Sequence, residues 1–183
     1  MSWSEYLRRT FRRVVVPGIL FGVIAFTSAC GFQPLYGRPS DGSPSATDRF
    51  AQIRIAPMPD RIGQRMHNLL RDRLNPKGQP SAPDYQLEVR LREVIHELGI
   101  RKDETATRAN LRLTANFTLS DAHTGTRLLS GESRSVNSYN ILQSQFATLF
   151  SEDDARQRSL RELSDDIRTR LGIYFARVAE GGT

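Results

Sequence analysis

The sharpest pattern in the chain is an alternation between positions 108 and 120. Ala109, Leu111, Leu113, Ala115, Phe117 and Leu119 are apolar, while Arg108, Asn110, Arg112, Thr114, Asn116, Thr118 and Ser120 are polar. A period of two marks a strand with one buried face. Tyr85, Leu87, Val89 and Leu91 alternate in the same way with Gln86, Glu88, Arg90 and Arg92, but the parity slips at Glu93-Val94, and Val94, Leu98 and Ile100 fall on the opposite register. A β-bulge at that point is the expected device. Phe50 to Ile55 alternates over a shorter run and predicts a first strand ended by Pro57 and Pro59. A fourth strand, Ser-rich and poor in large apolar residues, is expected from Arg127 to Asn140, after a hairpin turn at Asp121-Ala122-His123-Thr124-Gly125, with its small residues Ser130, Ser133 and Ser135 continuing the polar outer face.

Two segments carry the helical period instead. Ile62, Met66, Leu69, Leu70 and Leu74 share one face after a cap at Asp60, and Asn75-Pro76-Lys77-Gly78 stops that helix. Leu160, Leu163, Ile167, Leu171, Tyr174 and Val178 form a second stripe, with Ser151-Glu152-Asp153-Asp154 as its expected cap. The order strand, helix, three antiparallel strands, helix predicts an α+β domain. Two helices would pack on one face of a four-stranded, largely antiparallel sheet, leaving the other face polar.

The N-terminus follows a different rule. Arg8-Arg9-Thr10-Phe11-Arg12-Arg13 is basic, Val14 to Phe26 is apolar, and Thr27-Ser28-Ala29 precedes Cys30, the single cysteine of the chain. These thirteen residues, interrupted only by Pro17-Gly18, suit a secretory signal and fall short of the ~20 that a spanning helix needs. A lone cysteine after such a segment predicts a lipobox, in which the thiol takes a diacylglycerol and the new N-terminus an acyl chain. Gly31 follows Cys30 where an Asp would favour retention in the inner membrane, which points to the outer membrane, facing the periplasm. The expected organisation is therefore a lipoprotein signal peptide at 1–29, a lipidated start and flexible tether at 30–48, and an α+β domain at 49–183. The Pro/Gly/Ser-rich stretch Arg38–Asp48 forms the tether.

This organisation changes the meaning of the charge. The whole chain carries +6, but four Arg against one Glu sit in residues 1–29, so the remainder has 22 basic and 19 acidic side chains. That is too even a balance for a nucleic-acid clamp. One cysteine allows no internal disulfide. His67, His96 and His123 stand on three different elements without metal spacing, and His96-Glu97 lacks the second His of a zinc-protease motif. The chain is expected to be no enzyme and to hold no metal and no cofactor other than the lipid on Cys30. Its cations, Arg90, Arg92, Arg101, Lys102, Arg108, Arg112 and Arg134, lie on strands two to four or their connections and suit an anionic ligand such as a glycolipid.

Several segments carry a resemblance: Cys30-Gly31-Phe32-Gln33-Pro34-Leu35-Tyr36-Gly37, Arg61-Ile62-Gly63-Gln64, Asp103-Glu104-Thr105-Ala106-Thr107-Arg108 and Ser138-Tyr139-Asn140. In this order they resemble the LPS-assembly lipoprotein family LptE, in a divergent branch, over nearly the whole chain after Cys30. The resemblance implies a non-enzymatic outer-membrane lipoprotein with two helices on a four-stranded sheet. Such a protein would sit as a plug in an LptD-type β-barrel, assist its assembly and help deliver lipopolysaccharide to the outer leaflet. It also implies lipopolysaccharide contact through basic residues between the second and third strands, where this chain has Arg101 and Lys102, with Arg108 and Arg112 beside them. A second basic contact implied before the last helix has no counterpart, since Thr148-Leu149-Phe150-Ser151 carries no cation. The alternative is a free-standing lipoprotein that binds anionic glycolipid or cell-wall ligand.

Overall fold

The computed structural model describes residues 45–100 and 106–180. The signal segment, Cys30, residues 38–44 of the tether, Arg101 and Lys102 lie outside the described residues. The elements are α1 (Ala46–Phe50), β1 (Ile53–Ile55), α2 (Asp60–Leu74), β2 (Tyr85–Ile100), β3 (Ala106–Asp121), β4 (Arg127–Asn140) and α3 (Gln145–Glu180). The four strands form one sheet in the order β1-β2-β3-β4, with β1 parallel to β2 and the other pairs antiparallel. The fold is α+β, as expected.

The alternating apolar set of β3 forms the middle of the core. Ala109, Leu111, Leu113, Ala115, Phe117 and Leu119 are all buried, and so are Met66, Leu70 and Leu74 of α2 and Leu160, Leu163, Ile167 and Leu171 of α3. Both helices therefore cover the same sheet face. Burial of this kind contributes roughly 1.5–3 kcal/mol for each large apolar side chain, and it dictates register because a one-residue slip would turn the whole set to water.

Four expectations are corrected. The bulge at Glu93-Val94 is absent: β2 and β3 pair without interruption from Tyr85↔Asp121 through Glu93↔Leu113 and Val94↔Arg112 to Leu98↔Arg108. Glu93 occupies an inward position, and Arg156 on α3 neutralises it through a two-pronged ion pair at 2.7 and 2.8 Å. The register shift lies in the β3–β4 pair, at Leu119/Ser120. Phe50 does not begin a strand but ends α1, whose capping box joins Ser45 and Asp48, residues placed in the tether by their composition. The last helix starts at Gln145, not Ser151. Thr148 N donates to Ser144 O and Thr148 Oγ1 accepts from Leu142 N, so the first turn closes early, and Ser151 Oγ donates to Ala147 O inside the helix. The apolar stripe of that helix ends on buried Phe175, while Val178 is exposed.

Two glycines are required by close approach. A Cβ on Gly131 would stand 2.8 Å from the ring of Phe117, the largest inward side chain of β3. A Cβ on Gly63 would stand 2.7 Å from the Cβ of Met58, where the chain turns into α2. The same turn holds Asp60 at φ +68°, and its carboxylate accepts from Gly63 N at 2.7 Å, the capping role expected of it. Gly63→Ala should therefore destabilise the domain by about 1–3 kcal/mol through overpacking, read by urea titration. An unchanged midpoint would show that the turn gives way freely.

A cationic sheet face opposite the two long helices

The face of the sheet away from the helices is built by the outward parity of β2, β3 and β4. Its cross-strand rows run Arg90–Asn116–Glu132, Arg92–Thr114–Arg134, Val94–Arg112–Val136, His96–Asn110–Ser138 and Leu98–Arg108–Asn140. Arg90, Arg92, Arg108, Arg112 and Arg134 are all exposed. Arg134 donates to Glu132 at 2.8 Å and Arg90 lies 3.9 Å from Glu88, whereas Arg92, Arg108 and Arg112 make no ion pair with a described residue.

Strand geometry sets the spacing of these charges. Arg108 and Arg112 are four residues apart on one strand, roughly 14 Å, and Arg92 and Arg134 flank Thr114 at roughly 10 Å. The face offers separate charge-assisted hydrogen bonds to several anionic groups of a larger ligand. Of the residues that the sequence marks as lipopolysaccharide contacts, Arg108 and Arg112 share this face. The segment with Arg101 and Lys102, between β2 and β3, lies outside the described residues.

Two small residues expected on the outer face are elsewhere. Ser133 and Ser135 pair with Ala115 and Leu113, point inward and are buried beneath α3, where Ser135 Oγ donates to Glu162 Oε2 at 2.5 Å. Ser130, opposite Thr118, does lie on the outer parity.

The acids expected to cap the last helix form ion pairs within it and with its neighbours. Arg156 bonds Glu93 and Glu152, Arg65 of α2 donates to Asp153 at 2.6 Å, and Arg158 pairs with Asp154. The Arg65 hydrogen bond is the main cause holding the Asp153 carboxyl below its usual range. A carboxylate with a depressed folded pKa adds stability above its unfolded value, about 3.9, and that stability is lost as pH falls through the folded value. Asp153→Asn should thus lower the Tm near pH 6, and the difference from the parent should narrow as the pH falls below about 4. A difference independent of pH would assign the effect to packing.

The first turns of α3 precede the expected cap at Ser151, and Phe146 and Phe150 are 77% and 76% exposed there. The available signal is the spacing of Leu142, Phe146, Leu149 and Phe150 ahead of the acidic run. Among the described residues no cluster of His, Cys, Asp and Glu could hold a metal ion, and no helix is long and apolar enough to cross a membrane.

Three solved structures share the fold. A protein described as a lipoprotein from Caulobacter crescentus CB15 superposes with a TM-score of 0.60 at 21% identity, covering 72% of this chain and 96% of that one. The rare lipoprotein B from Shewanella oneidensis gives 0.55 at 10% identity, covering 70% and 97%. An uncharacterised lipoprotein B from Nitrosomonas europaea gives 0.52 at 15% identity, covering 68% and 82%. No curated protein sequence matches the chain. Residues 50–171 match the family LptE, lipopolysaccharide-assembly, over the whole sheet and most of both long helices. The chain belongs to the LptE family.

Proposed function

We propose that this protein is an outer-membrane lipoprotein, anchored through Cys30, that partners an LptD-type β-barrel as a plug. In that role it assists assembly of the barrel and the delivery of lipopolysaccharide to the outer leaflet. The observation that carries the reading is the family match across residues 50–171. The outer sheet face supports it. A transmembrane barrel has a polar interior, because its strands alternate lipid-facing apolar and lumen-facing polar residues. A plug must offer that interior hydrogen-bonding groups, and Asn110, Thr114, Asn116, Thr118, Ser120, Ser130 and Ser138 do so from one side of the sheet. Arg101, Lys102, Arg108 and Arg112 are the lipopolysaccharide contacts in this reading. It requires no catalytic step, metal or cofactor. The lipid on Cys30 would hold the domain at the membrane, since two or more acyl chains give stable anchoring.

A tagged chain should pull a large outer-membrane barrel from detergent-solubilised envelopes in one-to-one ratio. Depletion should leave that barrel poorly assembled and lipopolysaccharide short at the surface. Cys30→Ser should abolish acyl-lipid labelling. Normal barrel maturation and normal surface lipopolysaccharide after complete depletion would overturn the reading and leave a free-standing lipoprotein.

A further inference from the structure

The sheet is open along most of one side. β1 pairs only with Tyr85, Gln86 and Leu87 of β2, and Pro57, just past its end, has no N–H to continue it. Among the described residues nothing pairs with β2 on that side from Glu88 to Leu98, roughly 35 Å of strand. The bonds at the start of this edge fix its parity. Tyr85 N donates to Gln52 O at 3.3 Å and Leu87 O accepts from Ala56 N at 2.9 Å, so the odd-numbered residues of β2 aim their backbone groups away from β3. The set continues through Val89, Leu91, Glu93 and Ile95, because β2 and β3 pair without a bulge. Their side chains have the inward parity, and burial fades along them. Val89 is 7% exposed, Leu91 is half-buried and Ile95 is 39% exposed, while Phe117, Ala115 and Leu111 opposite them on β3 are at most 2% exposed. The core is left open where β1 stops.

Natural edges are commonly blunted by Lys, Pro, a bulge or an inward charge, and an edge left open is a template for another strand. Between Val89 and Ile95 there is no Lys, no Pro and no bulge, and Arg156 neutralises the inward charge of Glu93. The opposite edge differs, since α3 covers the inward face of β4 and buries Ser133 and Ser135. On the outward parity of the same stretch of β2 stand Arg90 and Arg92, with Glu88 3.9 Å from Arg90. An added strand would thus meet apolar side chains on one face of the sheet and guanidinium groups on the other. We propose that the β2 edge from Val89 to Ile95 takes up an extended segment of another protein, in which apolar residues alternate with acidic ones. The apolar set closes the core over Leu91 and Ile95, and the acids face Arg90 and Arg92. This goes beyond the plug role and does not depend on it.

The probe is a blocked synthetic peptide of alternating Val and Glu, added to the full chain in detergent, with a Val/Lys peptide as the charge control. In the free protein, amide exchange should be fast at Val89, Leu91, Glu93 and Ile95 and slow at Arg90, Arg92 and Val94, which bond β3. The Val/Glu peptide should slow the first set about tenfold and leave the second unchanged, the alternating signature of an added strand. Arg90→Glu combined with Arg92→Glu should weaken binding of that peptide about tenfold and transfer the protection to the Val/Lys peptide. Exchange already slow at the odd positions of the free protein would mean that this chain's own residues occupy the edge, and would overturn the proposal. So would equal protection by both peptides, equal protection of the β4 edge, or no protection at all. The readout needs no barrel, so it stands or falls separately from the plug role.

Discussion

Arg156→Met should lower the stability of the domain by about 2–3 kcal/mol, and Glu93→Leu combined with Arg156→Leu should recover most of that loss. The side chains of Arg156 and Glu93 are only 16% and 19% exposed, and the guanidinium bridges the inward face of β2 to α3. Glu93 and Glu152 together raise the Arg156 pKa further above its ordinary value, so this cation keeps its charge at every accessible pH. Removing it strands Glu93 on the core face among apolar neighbours, and breaking a buried pair from one side costs more than replacing both partners by apolar groups. Urea titration of the two variants separates the cases. If the double variant is as unstable as the single one, the ion pair contributes net stability rather than merely compensating a buried charge.

The same pair explains why the sequence misleads at this point. Alternation is read on the premise that inward means apolar, and Glu93 violates it because its partner lies 63 residues away on another element. No local pattern reports such compensation, so the parity change at Val94 resembles a bulge. In fact Val94 and Leu98 are outward, and they bring apolar surface to a face that is otherwise polar and cationic. The start of α3 has a similar cause. Ser151-Glu152-Asp153-Asp154 has the composition of a cap, but Thr148 already closes an earlier turn against Leu142, and the acids act on Arg65, Arg156 and Arg158 instead. By contrast, β3 and α2 were legible because every inward residue is apolar and the stop at Asn75 is local: Asn75 N donates to Arg71 O, and Gly78, at φ +104°, donates its N–H to Asn75 O.

The candidate site was legible in kind and not in place. Charge and parity locate Arg108 and Arg112 on an outward face, and the register confirms it. Small polar character also put Ser133 and Ser135 outside, with no register to check it. The Leu119/Ser120 register shift changes which residues of β4 face inward, and these two serines lie beneath α3. The apolar ridge at Phe146 and Phe150 escapes any reading in which apolar helical spacing means core. Only exposure separates it from the core stripe that follows along the same helix.

Phe175→Ala should cost about 3–5 kcal/mol, whereas Val178→Ala should stay within roughly 0.5 kcal/mol. The sequence pattern favours Tyr174 and Val178 as the end of the α3 stripe, but Phe175 is 2% exposed and Val178 is 43% exposed. The Phe175 ring sits 6.0 Å from that of Phe50 and 5.1 Å from that of Tyr85, centroid to centroid, with the Arg49 guanidinium 5.9 Å from its centre. Each aromatic pair adds about 0.5–1.5 kcal/mol to the area it buries, so truncation leaves a cavity and removes three such contacts, the third with Tyr174 at 5.4 Å. The cluster joins α1, the entry of β2 and the last turns of α3, which is where the chain arriving from the tether meets the domain. Loss of Phe175 should therefore also free α1, raising amide exchange at Arg49 and Phe50 well before the sheet opens. Thermal denaturation gives the first quantity and hydrogen exchange the second. Equal costs at positions 175 and 178, with α1 protected in both, would show that the far end of α3 is held by the helix itself rather than by this aromatic cluster.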